Sequence, residues 1–318
     1  MLRNILFNLL CTFASIVVSR YKRPRKYQNK NILVIGGTSG LGLSLALKLS
    51  NHNYVTVSGR STFDVTYLPL RFIRMDVTQG CTDLEEYDVV FYCAGYAVAK
   101  YFVDLEWDEI MHEFDVNYFG ALRMLRTLAG CDRHTNTRDT GAQDESLFSA
   151  AVRIGRRGDV TSHADTRAEH ITKPRDVVLI GTPLTFFSLP GYAAYSPSKS
   201  ALYNLFSTVR PELSKMKIDL YFYILSTTKT RGYDTENITK PEFTKQIEMW
   251  TDETCVDERS DRLLNGMAWS NVVTSDCLVE LMRGNMECGI RGIVIGCVGS
   301  IVLFFYRRYL NYLFIHEK

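Results

Sequence analysis

Short apolar runs and stretches of helical spacing alternate along the middle of the chain. The run Asn31 to Ile35 is apolar and rich in β-branched residues, which is typical of a buried strand of a parallel sheet. Apolar residues then recur at helical spacing from Leu43 to Leu49, and Val177 to Ile180 is a second run with the strand pattern. We therefore predict an α/β fold in which a strand leads through a short turn into a helix.

A glycine-rich turn joins the first strand to the first helix. It reads Gly36-Gly-Thr-Ser-Gly-Leu-Gly42, and strand, glycine turn and helix in that order are the context of a dinucleotide-binding fingerprint. Gly36 permits the tight turn, Gly40 lets the backbone approach a pyrophosphate, and Gly42 lets the helix pack on the strand. The helix N-terminus then offers N–H groups and a positive dipole end to the phosphates. The alternative is a glycine-rich loop that binds no ligand.

Tyr195 and Lys199 are four residues apart in the stretch Tyr-Ser-Pro-Ser-Lys. In a helix this spacing places the two side chains one turn apart on one face. A free phenol has a pKa near ~10, and a nearby ammonium lowers such a pKa toward the working pH, so the pair can serve as an acid/base. The alternative is an ordinary helix face, because the spacing alone is common by chance.

The glycine turn and the tyrosine–lysine pair together resemble the short-chain dehydrogenase/reductase family. That family has TGxxxGxG near its start and YxxxK far downstream, and here Ile35 stands in place of the first Thr. The match covers about residues 30 to 285, less one insertion. The resemblance implies a Rossmann-type, doubly wound parallel sheet with helices on both faces, in which cofactor and substrate meet at the carboxyl ends of the strands.

The resemblance also implies which residues bind the cofactor. Val55 to Arg60 is similar to the family's second strand, whose terminal arginine usually faces the 2′-phosphate of NADP, so Arg60 favours NADPH over NAD. The alternative for Arg60 is a solvated charge at a strand end. Residues 75–77 are similar to the segment whose Asp touches the adenine, and 89–95 to the fourth strand and its NxAG turn. The implied cofactor-binding residues are Gly36, Thr38, Ser39, Gly40, Leu41, Gly42, Arg60, Asp76, Val77, Ala94, Gly95, Tyr195, Lys199 and Thr230.

The catalytic residues that the resemblance implies are Tyr195, Lys199, Thr182 and Asn117. Asn117 opens an NxxG segment, whose Asn holds a water of the proton relay. Thr182 lies thirteen residues before Tyr195, where the family places its catalytic Ser, and a threonine hydroxyl has the same donor and acceptor. Lys199 would hold the nicotinamide ribose and activate the phenol, Thr182 would bind the substrate ketone, and Tyr195 would protonate the developing alkoxide.

Two further positions depart from the family pattern. Tyr92 stands where the fourth-strand turn usually has Asn, and Leu225-Ser226 replaces the Pro-Gly pair that usually follows the sixth strand. The first departure puts the stabilising role of the family's Asn in doubt. Together with Thr182, the departures raise the alternative of a non-catalytic scaffold that binds nucleotide only. Retention of the tyrosine–lysine pair and of the relay asparagine argues against that alternative.

One segment narrows the resemblance. The run Glu236-Asn-Ile-Thr-Lys-Pro-Glu242, preceded by Thr230-Arg-Gly-Tyr-Asp234, is similar to the segment after the sixth strand in one group of the family, the 3-ketodihydrosphingosine reductases. This resemblance implies NADPH-dependent reduction of 3-ketodihydrosphingosine to dihydrosphingosine in sphingolipid biosynthesis, with a long-chain lipid ketone as substrate. The alternatives are a chance match in a variable substrate loop, and another membrane-anchored member of the family that acts on a steroid or a retinoid.

Both ends of the chain are apolar. Residues 5–18 carry no charge, and the basic run 20–26 follows at once. This stretch is short for a bilayer, which needs about twenty residues, so a signal peptide, a reverse-polarity anchor and an interfacial helix are the alternatives. The anchor fits best, because positive charge stays cytosolic and thereby places the main domain in the cytosol. Near the other end, 292–306 is uncharged and is followed by two arginines and an aromatic stretch.

These features divide the chain into parts. We expect a membrane anchor with its basic flank over 1–27, a Rossmann-type reductase domain over 28–285, and a membrane-associated segment over 286–318. A membrane of the endoplasmic reticulum, with the catalytic domain facing the cytosol, is implied by the resemblance and by the basic flank. The stretch 131–173 has seven basic and seven acidic residues and one aromatic, which predicts a disordered surface insertion. It is either a regulatory or partner-binding loop or a gene-model error.

Composition sets a few further limits. The net charge of +2 over 318 residues gives no basic excess of the kind that nucleic-acid binding requires. The eight cysteines form no CxxC pair and the six histidines are scattered, so we expect reduced thiols and no metal site. The predicted helices 107–119 and 198–213 are those that commonly form a four-helix dimer bundle in the family, which implies a homodimer or a homotetramer. Pro211 should end or kink the second helix.

Overall fold

A parallel sheet of seven strands forms the centre of the protein in a computed structural model, which describes residues 27–81, 83–131, 175–248, 255–267 and 270–274. The strands in chain order are β1 (Asn31–Ile35), β2 (Tyr54–Gly59), β3 (Arg71–Arg74), β4 (Val89–Tyr92), β5 (Arg175–Gly181), β6 (Ile218–Ile224) and β7 (Val272–Thr274). Their order in space is β3-β2-β1-β4-β5-β6-β7, and every neighbouring pair is parallel. The order reverses between β1 and β4, so a ligand crevice is expected at the carboxyl ends of those two strands.

Helices connect the strands across both faces of the sheet. In the described ranges they are α1 (Gly40–Ser50), α2 (Trp107–Phe114), α3 (Gly120–Leu128), α4 (Tyr195–Lys215), α5 (Arg231–Glu236), α6 (Glu242–Glu248) and α7 (Val256–Gly266). A π-helical turn joins α2 to α3 without a break, and it spans Asp115–Phe119. Short 3₁₀ turns lie in the loops at Leu84–Glu86, Phe102–Asp104 and Pro183–Thr185.

Alternate side chains of each strand build a core on each face of the sheet. On one face, Leu33 and Ile35 of β1 share a buried cluster with residues of α3 and α4. On the other face, Ile32 and Val34 share a buried cluster with residues of α1 and α7. Because helices cover both faces, the central strands are apolar at nearly every position, which is the pattern that made β1 recognisable in the sequence.

The predicted fold class is confirmed. The sheet is doubly wound and parallel, with helices on both faces. Strand β1 has the predicted bounds, and the strand predicted at Val177 to Ile180 lies within β5. The glycine turn follows β1 directly and Arg60 follows β2, so both predicted cofactor features lie at the carboxyl edge of the sheet.

The helix predicted at 107–119 has a different internal structure. It is α-helical only to Phe114, it then forms the π turn, and it continues as α3 to Leu128. A π turn inserts one extra residue into the helical ladder and is frequent at functional sites. Asn117, one of the predicted catalytic residues, is the middle residue of this π turn.

The helix predicted at 198–213 begins earlier and ends later than expected. It starts at Tyr195 and includes Pro197 in its first turn, where the missing N–H of proline costs little. Pro211 does not end the helix, which continues for a further turn. Leu213 is buried in the core beyond that proline, and its packing holds the last turn in place.

Several expectations concern residues outside the described ranges. The anchor over 1–27, apart from Tyr27, the insertion over 131–173, apart from Cys131, and the segment 286–318 all lie there. Within the part of the chain that the structure describes, no helix is long and apolar enough to cross a membrane. The two membrane segments and the insertion therefore stay predictions.

Removal of one core ring should destabilise the protein strongly. Phe222 is fully buried on β6, and its ring centre lies 5.1 Å from that of Tyr203 and 5.4 Å from that of Phe206. We expect Phe222→Ala to lower the free energy of unfolding by about 3–5 kcal/mol, because it removes apolar contacts and leaves a cavity. Urea denaturation measures the loss. The control is Phe102→Ala at an exposed ring, which should change the stability by less than about 0.5 kcal/mol. A comparable loss in both variants would contradict this account of the core.

Candidate active site

The glycine turn closes tightly against the end of a neighbouring strand. Gly36 follows β1 with a φ of +76°, and a Cβ at this position would lie 2.7 Å from the backbone nitrogen of Ala94. At Gly42, in the first turn of α1, a Cβ would lie 2.3 Å from the carbonyl oxygen of Gly36. Both positions therefore need glycine if α1 is to start this close to β1 and to the end of β4.

The pyrophosphate of a dinucleotide fits this turn. Gly40 has a φ of +50°, which favours glycine, and a Cβ there would lie 3.2 Å from Cγ2 of Thr230. Ser39 precedes α1 in an extended conformation, and its side chain makes no capping hydrogen bond with the described residues. The first N–H groups of α1 are thus left to an anion, which the helix dipole also favours. The structure brings Thr230, one of the predicted cofactor-binding residues, to the turn.

Two charged residues lie beyond the ends of β2 and β3. Arg60 is exposed, and its carbonyl oxygen accepts a hydrogen bond from Nε of Arg74 at 3.1 Å. Asp76 accepts hydrogen bonds from the backbone nitrogen and the hydroxyl of Thr78, at 3.0 and 2.8 Å. The bond from the backbone of Thr78 is the main reason why the pKa of Asp76 is lowered, and the charge of Arg60 adds to the effect. Arg60 therefore offers an exposed positive charge that suits a phosphate.

Two of the predicted cofactor residues do not face the crevice. The side chain of Leu41 is buried in the core cluster beneath α1. Val77 is buried against Gly120, where a Cβ would lie 3.0 Å from the Cβ of Val77. Thr38, in contrast, lies over the end of β2, since a Cβ on Gly59 would be 2.8 Å from Cγ2 of Thr38. The side chains of Leu41 and Val77 thus support the site from within, and the carbonyl oxygen of Val77 accepts a hydrogen bond from Arg123 at 3.4 Å.

Helix α4 places the predicted acid/base pair at its N-terminus. Tyr195 is its first residue and Lys199 lies one turn on, with Nζ 5.8 Å from the centre of the Tyr195 ring. Lys199 is only 4% exposed, and its Nζ donates to the carbonyl oxygen of Ile180, near the end of β5, at 3.0 Å. Burial lowers the pKa of Lys199 to about 8, while Cys93 and Glu113 act to raise it. The ammonium therefore stays charged near pH 7, beside the phenol.

Asn117 is tied to the same helix through a buried serine. Its Nδ2 donates to the carbonyl oxygen of Tyr96 at 2.8 Å and to the hydroxyl of Ser198 at 3.0 Å, while its Oδ1 accepts from the nitrogen of Tyr96 at 3.0 Å. The hydroxyl of Ser198 in turn donates to the carbonyl oxygen of Tyr195 at 2.8 Å. Ser198 was not among the predicted site residues, although it lies inside the recognised Tyr-Ser-Pro-Ser-Lys stretch.

Gly95 and Thr182 lie at the same edge of the sheet. A Cβ on Gly95 would be 3.6 Å from both Oδ1 of Asn117 and Nζ of Lys199, so these two side chains converge beside that glycine. Thr182 follows β5 and is mostly buried, and its hydroxyl accepts a hydrogen bond from the nitrogen of Leu184 at 3.4 Å. A hydroxyl that accepts a hydrogen bond keeps its proton for donation, which is what a substrate carbonyl requires.

Tyr92 replaces the family's asparagine with a different contact. It ends β4, it is almost fully buried, and its hydroxyl donates to the carbonyl oxygen of Val116 at 2.6 Å. Val116 lies in the π turn next to Asn117, where the helical ladder is interrupted. Gly120 leaves the space for the phenol, because a Cβ there would lie 2.3 Å from the hydroxyl oxygen of Tyr92. Tyr92, although it departs from the family pattern, therefore stabilises the π turn that carries Asn117 through its own hydrogen bond.

The second departure, Leu225-Ser226, extends the pairing of two strands. The N–H of Leu225 donates to the carbonyl oxygen of Gly181 at 3.1 Å, directly after the end of β6. A proline at this position could not make the bond, because proline has no N–H. Strands β5 and β6 therefore stay hydrogen-bonded up to the residue before Thr182.

The run Glu236 to Glu242, which resembles the 3-ketodihydrosphingosine reductases, contributes to a buried cluster beside Tyr195. Glu236 and Lys240 form an ion pair with Nζ 2.9 Å from Oε1, and the Lys240 side chain is fully buried. The hydroxyl of Tyr192 donates to the Glu236 carboxylate, and Nζ of Lys240 lies 4.6 Å from the centre of the Tyr233 ring. The ring centres of Tyr192 and Tyr195 are 5.8 Å apart. Through these contacts the segment after β6 packs against the loop that leads into α4.

The sheet order, the glycine turn and the tyrosine–lysine pair define a class of protein, and solved structures agree with it. A short-chain dehydrogenase from Burkholderia cenocepacia in complex with NADP matches with a TM-score of 0.56 at 18% identity, over 79% of this chain and 90% of that one. A short-chain dehydrogenase from Sphingobium yanoikuyae in complex with NADPH matches with a TM-score of 0.53 at 16% identity, over 77% and 87%. The protein has the fold of the short-chain dehydrogenases/reductases.

Curated sequences point to a particular group within that class. The 3-ketodihydrosphingosine reductase of Dictyostelium discoideum is 25% identical over 283 residues, which cover 78% of this chain and 74% of the relative. That of Neurospora crassa is 23% identical over 340 residues, with 94% and 85% covered. The PIGF/3-ketodihydrosphingosine reductase fusion protein of Schizosaccharomyces pombe is 27% identical over 261 residues, with 75% and 46% covered. No family model matches the chain. The predicted resemblance to short-chain dehydrogenases/reductases, and within them to the 3-ketodihydrosphingosine reductases, is confirmed.

The contact between Tyr92 and the π turn can be tested by a double-mutant cycle. We expect Tyr92→Phe to lower the free energy of unfolding by about 1–3 kcal/mol, because it leaves a buried carbonyl oxygen unpaired. Gly120→Ala should cost more in the wild-type protein than in the Tyr92→Phe background, because the added methyl group collides with the phenol oxygen. Urea denaturation of the four proteins measures both effects. Additive losses would show that the phenol and Gly120 do not depend on one another.

Proposed function

We propose that the protein is an NADPH-dependent reductase that converts 3-ketodihydrosphingosine to dihydrosphingosine in sphingolipid biosynthesis. One observation carries the proposal. A chain similar in sequence to curated 3-ketodihydrosphingosine reductases holds Tyr195, Lys199 and Asn117 in one corner beside a dinucleotide turn. The segment from Glu236 to Lys240, which carried the narrower resemblance, contacts Tyr192, whose ring centre lies 5.8 Å from that of Tyr195.

The residues of this chain suit NADPH. The backbone of the turn 36–42 and the N-terminus of α1 would bind the pyrophosphate. Arg60 would pair with the 2′-phosphate, Asp76 would contact the adenine, and Lys199 would hold the nicotinamide ribose. When bound there, NADPH supplies the hydride that reaches the carbonyl carbon of the substrate.

Side chains of this chain carry out the rest of the chemistry. Tyr195 gives its phenolic proton to the ketone oxygen, which completes the hydroxyl group of the product. The positive charge of Lys199 stabilises the phenolate that this proton transfer leaves behind. Thr182 donates a hydrogen bond to the same ketone oxygen, where negative charge develops. The contacts from Asn117 through Ser198 hold the first turn of α4, and with it the backbone of Tyr195.

The two alternative functions are weaker. A reductase of steroids or retinoids is not favoured, because the curated relatives carry the name of the sphingolipid enzyme. A scaffold that binds nucleotide without turnover is not favoured either. The scaffold was suggested by departures from the family pattern such as Tyr92. In the structure this residue makes a specific hydrogen bond next to Asn117, so its presence is no reason to expect a lost site.

Membrane location and self-association belong to the same proposal. Support for a membrane of the endoplasmic reticulum, with the catalytic domain in the cytosol, comes from the apolar stretches 5–18 and 292–306 and from the basic flank 20–26. Support for a homodimer or a homotetramer comes from α2, the helix that commonly dimerises in the family. Its Trp107 and Met111 lie one turn apart and are 70% and 48% exposed.

The test of function is ketone-dependent oxidation of NADPH by the full-length protein with 3-ketodihydrosphingosine. We expect Tyr195→Phe to slow this reaction at least about 100-fold, because the proton donor is lost. Binding of NADPH, followed by cofactor fluorescence, should change by less than about threefold. The matched control is Tyr67→Phe at a tyrosine that is 93% exposed, which should keep the wild-type rate.

Each other result points to one alternative. Full activity of Tyr195→Phe would refute the assignment of the proton donor. Oxidation of NADPH with steroid or retinoid ketones, but not with the sphingolipid ketone, would show that the protein is a steroid or retinoid reductase of the same family. NADPH binding without turnover of any ketone would favour the scaffold.

The choice of cofactor depends on Arg60. We expect Arg60→Ala to raise the KM for NADPH about 10- to 100-fold, because one charge-assisted contact to the 2′-phosphate is lost. The KM for NADH, which lacks this phosphate, should stay within about threefold. Steady-state kinetics with both cofactors measure the change, and Arg71→Ala, at the exposed start of β3, is the control. An equal loss with NADPH and NADH would refute this role of Arg60.

A further inference from the structure

Tyr192 is a buried tyrosine beside Tyr195 that has no part in the mechanism above. It is 2% exposed, and its ring centre lies 5.8 Å from that of Tyr195, which is within the range of favourable contacts between aromatic rings. Nζ of Lys199 also lies 5.8 Å from the centre of the Tyr195 ring. The orientation of the half-buried Tyr195 ring therefore depends in part on where the ring of Tyr192 lies.

The backbone of Tyr192 is held by hydrogen bonds on both of its sides. Its nitrogen donates to the carbonyl oxygen of Leu189 at 3.3 Å, and its carbonyl oxygen accepts from the nitrogen of Ser196, in the first turn of α4, at 3.1 Å. The nitrogen of Lys100 donates to the carbonyl oxygen of Gly191 at 3.0 Å, which pairs the stretch before α4 with the loop after β4. The position of Tyr192 is thus joined to the start of the helix that carries the candidate proton donor.

An ion pair holds the hydroxyl of Tyr192. The hydroxyl donates to Oε1 of Glu236, and Nζ of Lys240 lies 2.9 Å from the same oxygen. Nζ of Lys240 also lies 5.7 Å from the centre of the Tyr192 ring and 4.6 Å from that of the Tyr233 ring. A hydrogen bond to a charged acceptor is strong where water is largely excluded. A buried ion pair is often no more stabilising than apolar side chains of the same volume, so this pair points to a role other than stability.

The segment that carries the ion pair packs directly on the stretch before α4. The hydroxyl of Thr244 donates to the carbonyl oxygen of Pro190 at 2.8 Å. Gly191 has a φ of +90°, and a Cβ at this position would lie 3.0 Å from Cδ of Pro241. The ion pair therefore reaches Tyr192 from a segment that is fixed to the two residues before that tyrosine.

We propose that Tyr192 is a positioning residue of the reductase: the ion pair of Glu236 and Lys240 holds its hydroxyl, and its ring fixes the orientation of the Tyr195 ring. The catalytic part of this inference rests on the proposed function, whereas the effect on the Tyr195 ring does not. Proton transfer requires the phenol oxygen and the ketone oxygen to lie within hydrogen-bond distance. A small rotation of the Tyr195 ring is therefore enough to slow the reaction.

The first experiment measures the kinetics of Tyr192→Phe with 3-ketodihydrosphingosine and NADPH. This variant keeps the ring and the ion pair and removes the hydroxyl that fixes the ring. We expect kcat to fall about 10-fold, because Tyr195 is no longer held in line with the ketone, while the KM for NADPH changes by less than about threefold. The solvent deuterium isotope effect on kcat should be larger than in wild type, because proton transfer then limits the rate more strongly. Partial loss of folded protein would lower kcat without changing this isotope effect.

Tyr27→Phe is the matched control. The hydroxyl of Tyr27 also donates to a carboxylate, Oδ2 of Asp176, at 2.6 Å, and the residue is 5% exposed. Asp176 is the second residue of β5, at the edge of the sheet opposite the candidate catalytic groups. The control should therefore keep kcat within about twofold of wild type. A wild-type kcat in Tyr192→Phe, or a lower kcat with an unchanged isotope effect, would overturn the proposal.

A double-mutant cycle tests the part played by the ion pair. Lys240→Met removes the ammonium that holds Glu236, so it should also lower kcat. If both changes act by releasing the ring of Tyr192, the double variant should be no slower than Tyr192→Phe alone. If Lys240→Met does not fold, Glu236→Gln takes its place in the cycle. A single variant of the ion pair with the wild-type kcat, or losses that multiply in the double variant, would overturn the role of the pair.

The last experiment needs no turnover and follows the Tyr195 ring itself. A ring-fluorinated tyrosine in place of Tyr195 gives a fluorine NMR resonance that reports the orientation and surroundings of this ring. In the full-length protein without cofactor, Tyr192→Phe should broaden or split the resonance, because the ring then takes more than one orientation, and Tyr27→Phe should leave it unchanged. The same resonance in wild type and Tyr192→Phe would overturn the proposal. If wild type does not turn over the ketone, the proposed function fails, and this measurement still decides the role of Tyr192.

Discussion

A lysine ammonium buried at the carboxyl edge of the sheet is the constraint around which the candidate site is built. Nζ of Lys199 donates to the carbonyl oxygen of Ile180, so the end of β5 fixes its position. Its place one turn into α4 fixes its distance from Tyr195. A buried charge persists only where such partners surround it. The end of β5 and the start of α4 are therefore arranged about a single charge.

Local sequence patterns were enough to predict the secondary-structure elements that carry the cofactor turn. Strand β1 was predicted with its observed bounds, because a strand covered on both faces is apolar along its length and glycines mark its end. The spacing of Tyr195 and Lys199 placed them on one helix face for a similar reason, since it is set by the helical repeat alone. The start of α4 was predicted too late. A proline near a helix start does not show on which side the helix begins, and here Pro197 lies within its first turn.

Contacts between distant parts of the chain could not be predicted in this way. No residue near Tyr92 indicates that its hydroxyl meets the carbonyl oxygen of Val116, in an element that comes after the next loop. The burial of Glu113 could not be predicted either, because its helix exposes two apolar residues and buries this charged one, which is the reverse of the usual pattern. The four-residue spacing of Glu236 and Lys240 suits an ion pair, although α5 ends at Glu236 and Lys240 lies beyond it. It could not indicate that the pair would be buried between two tyrosines, because that burial depends on how the loop before α4 folds back.

The positions of Cys131 and Arg175 have a consequence for protein engineering. Helix α3 carries the chain back from the carboxyl edge, and Arg175 begins β5 at the opposite, amino edge of the sheet. There the nitrogen of Arg175 donates to the carbonyl oxygen of Lys217, and its guanidinium donates to that of Glu85, each at 2.9 Å. A strand of seven residues is about 23 Å long, so the whole of β5 separates this point from Thr182. A fluorescent protein or an affinity tag fused directly before Arg175 would be attached at the edge opposite the candidate catalytic groups.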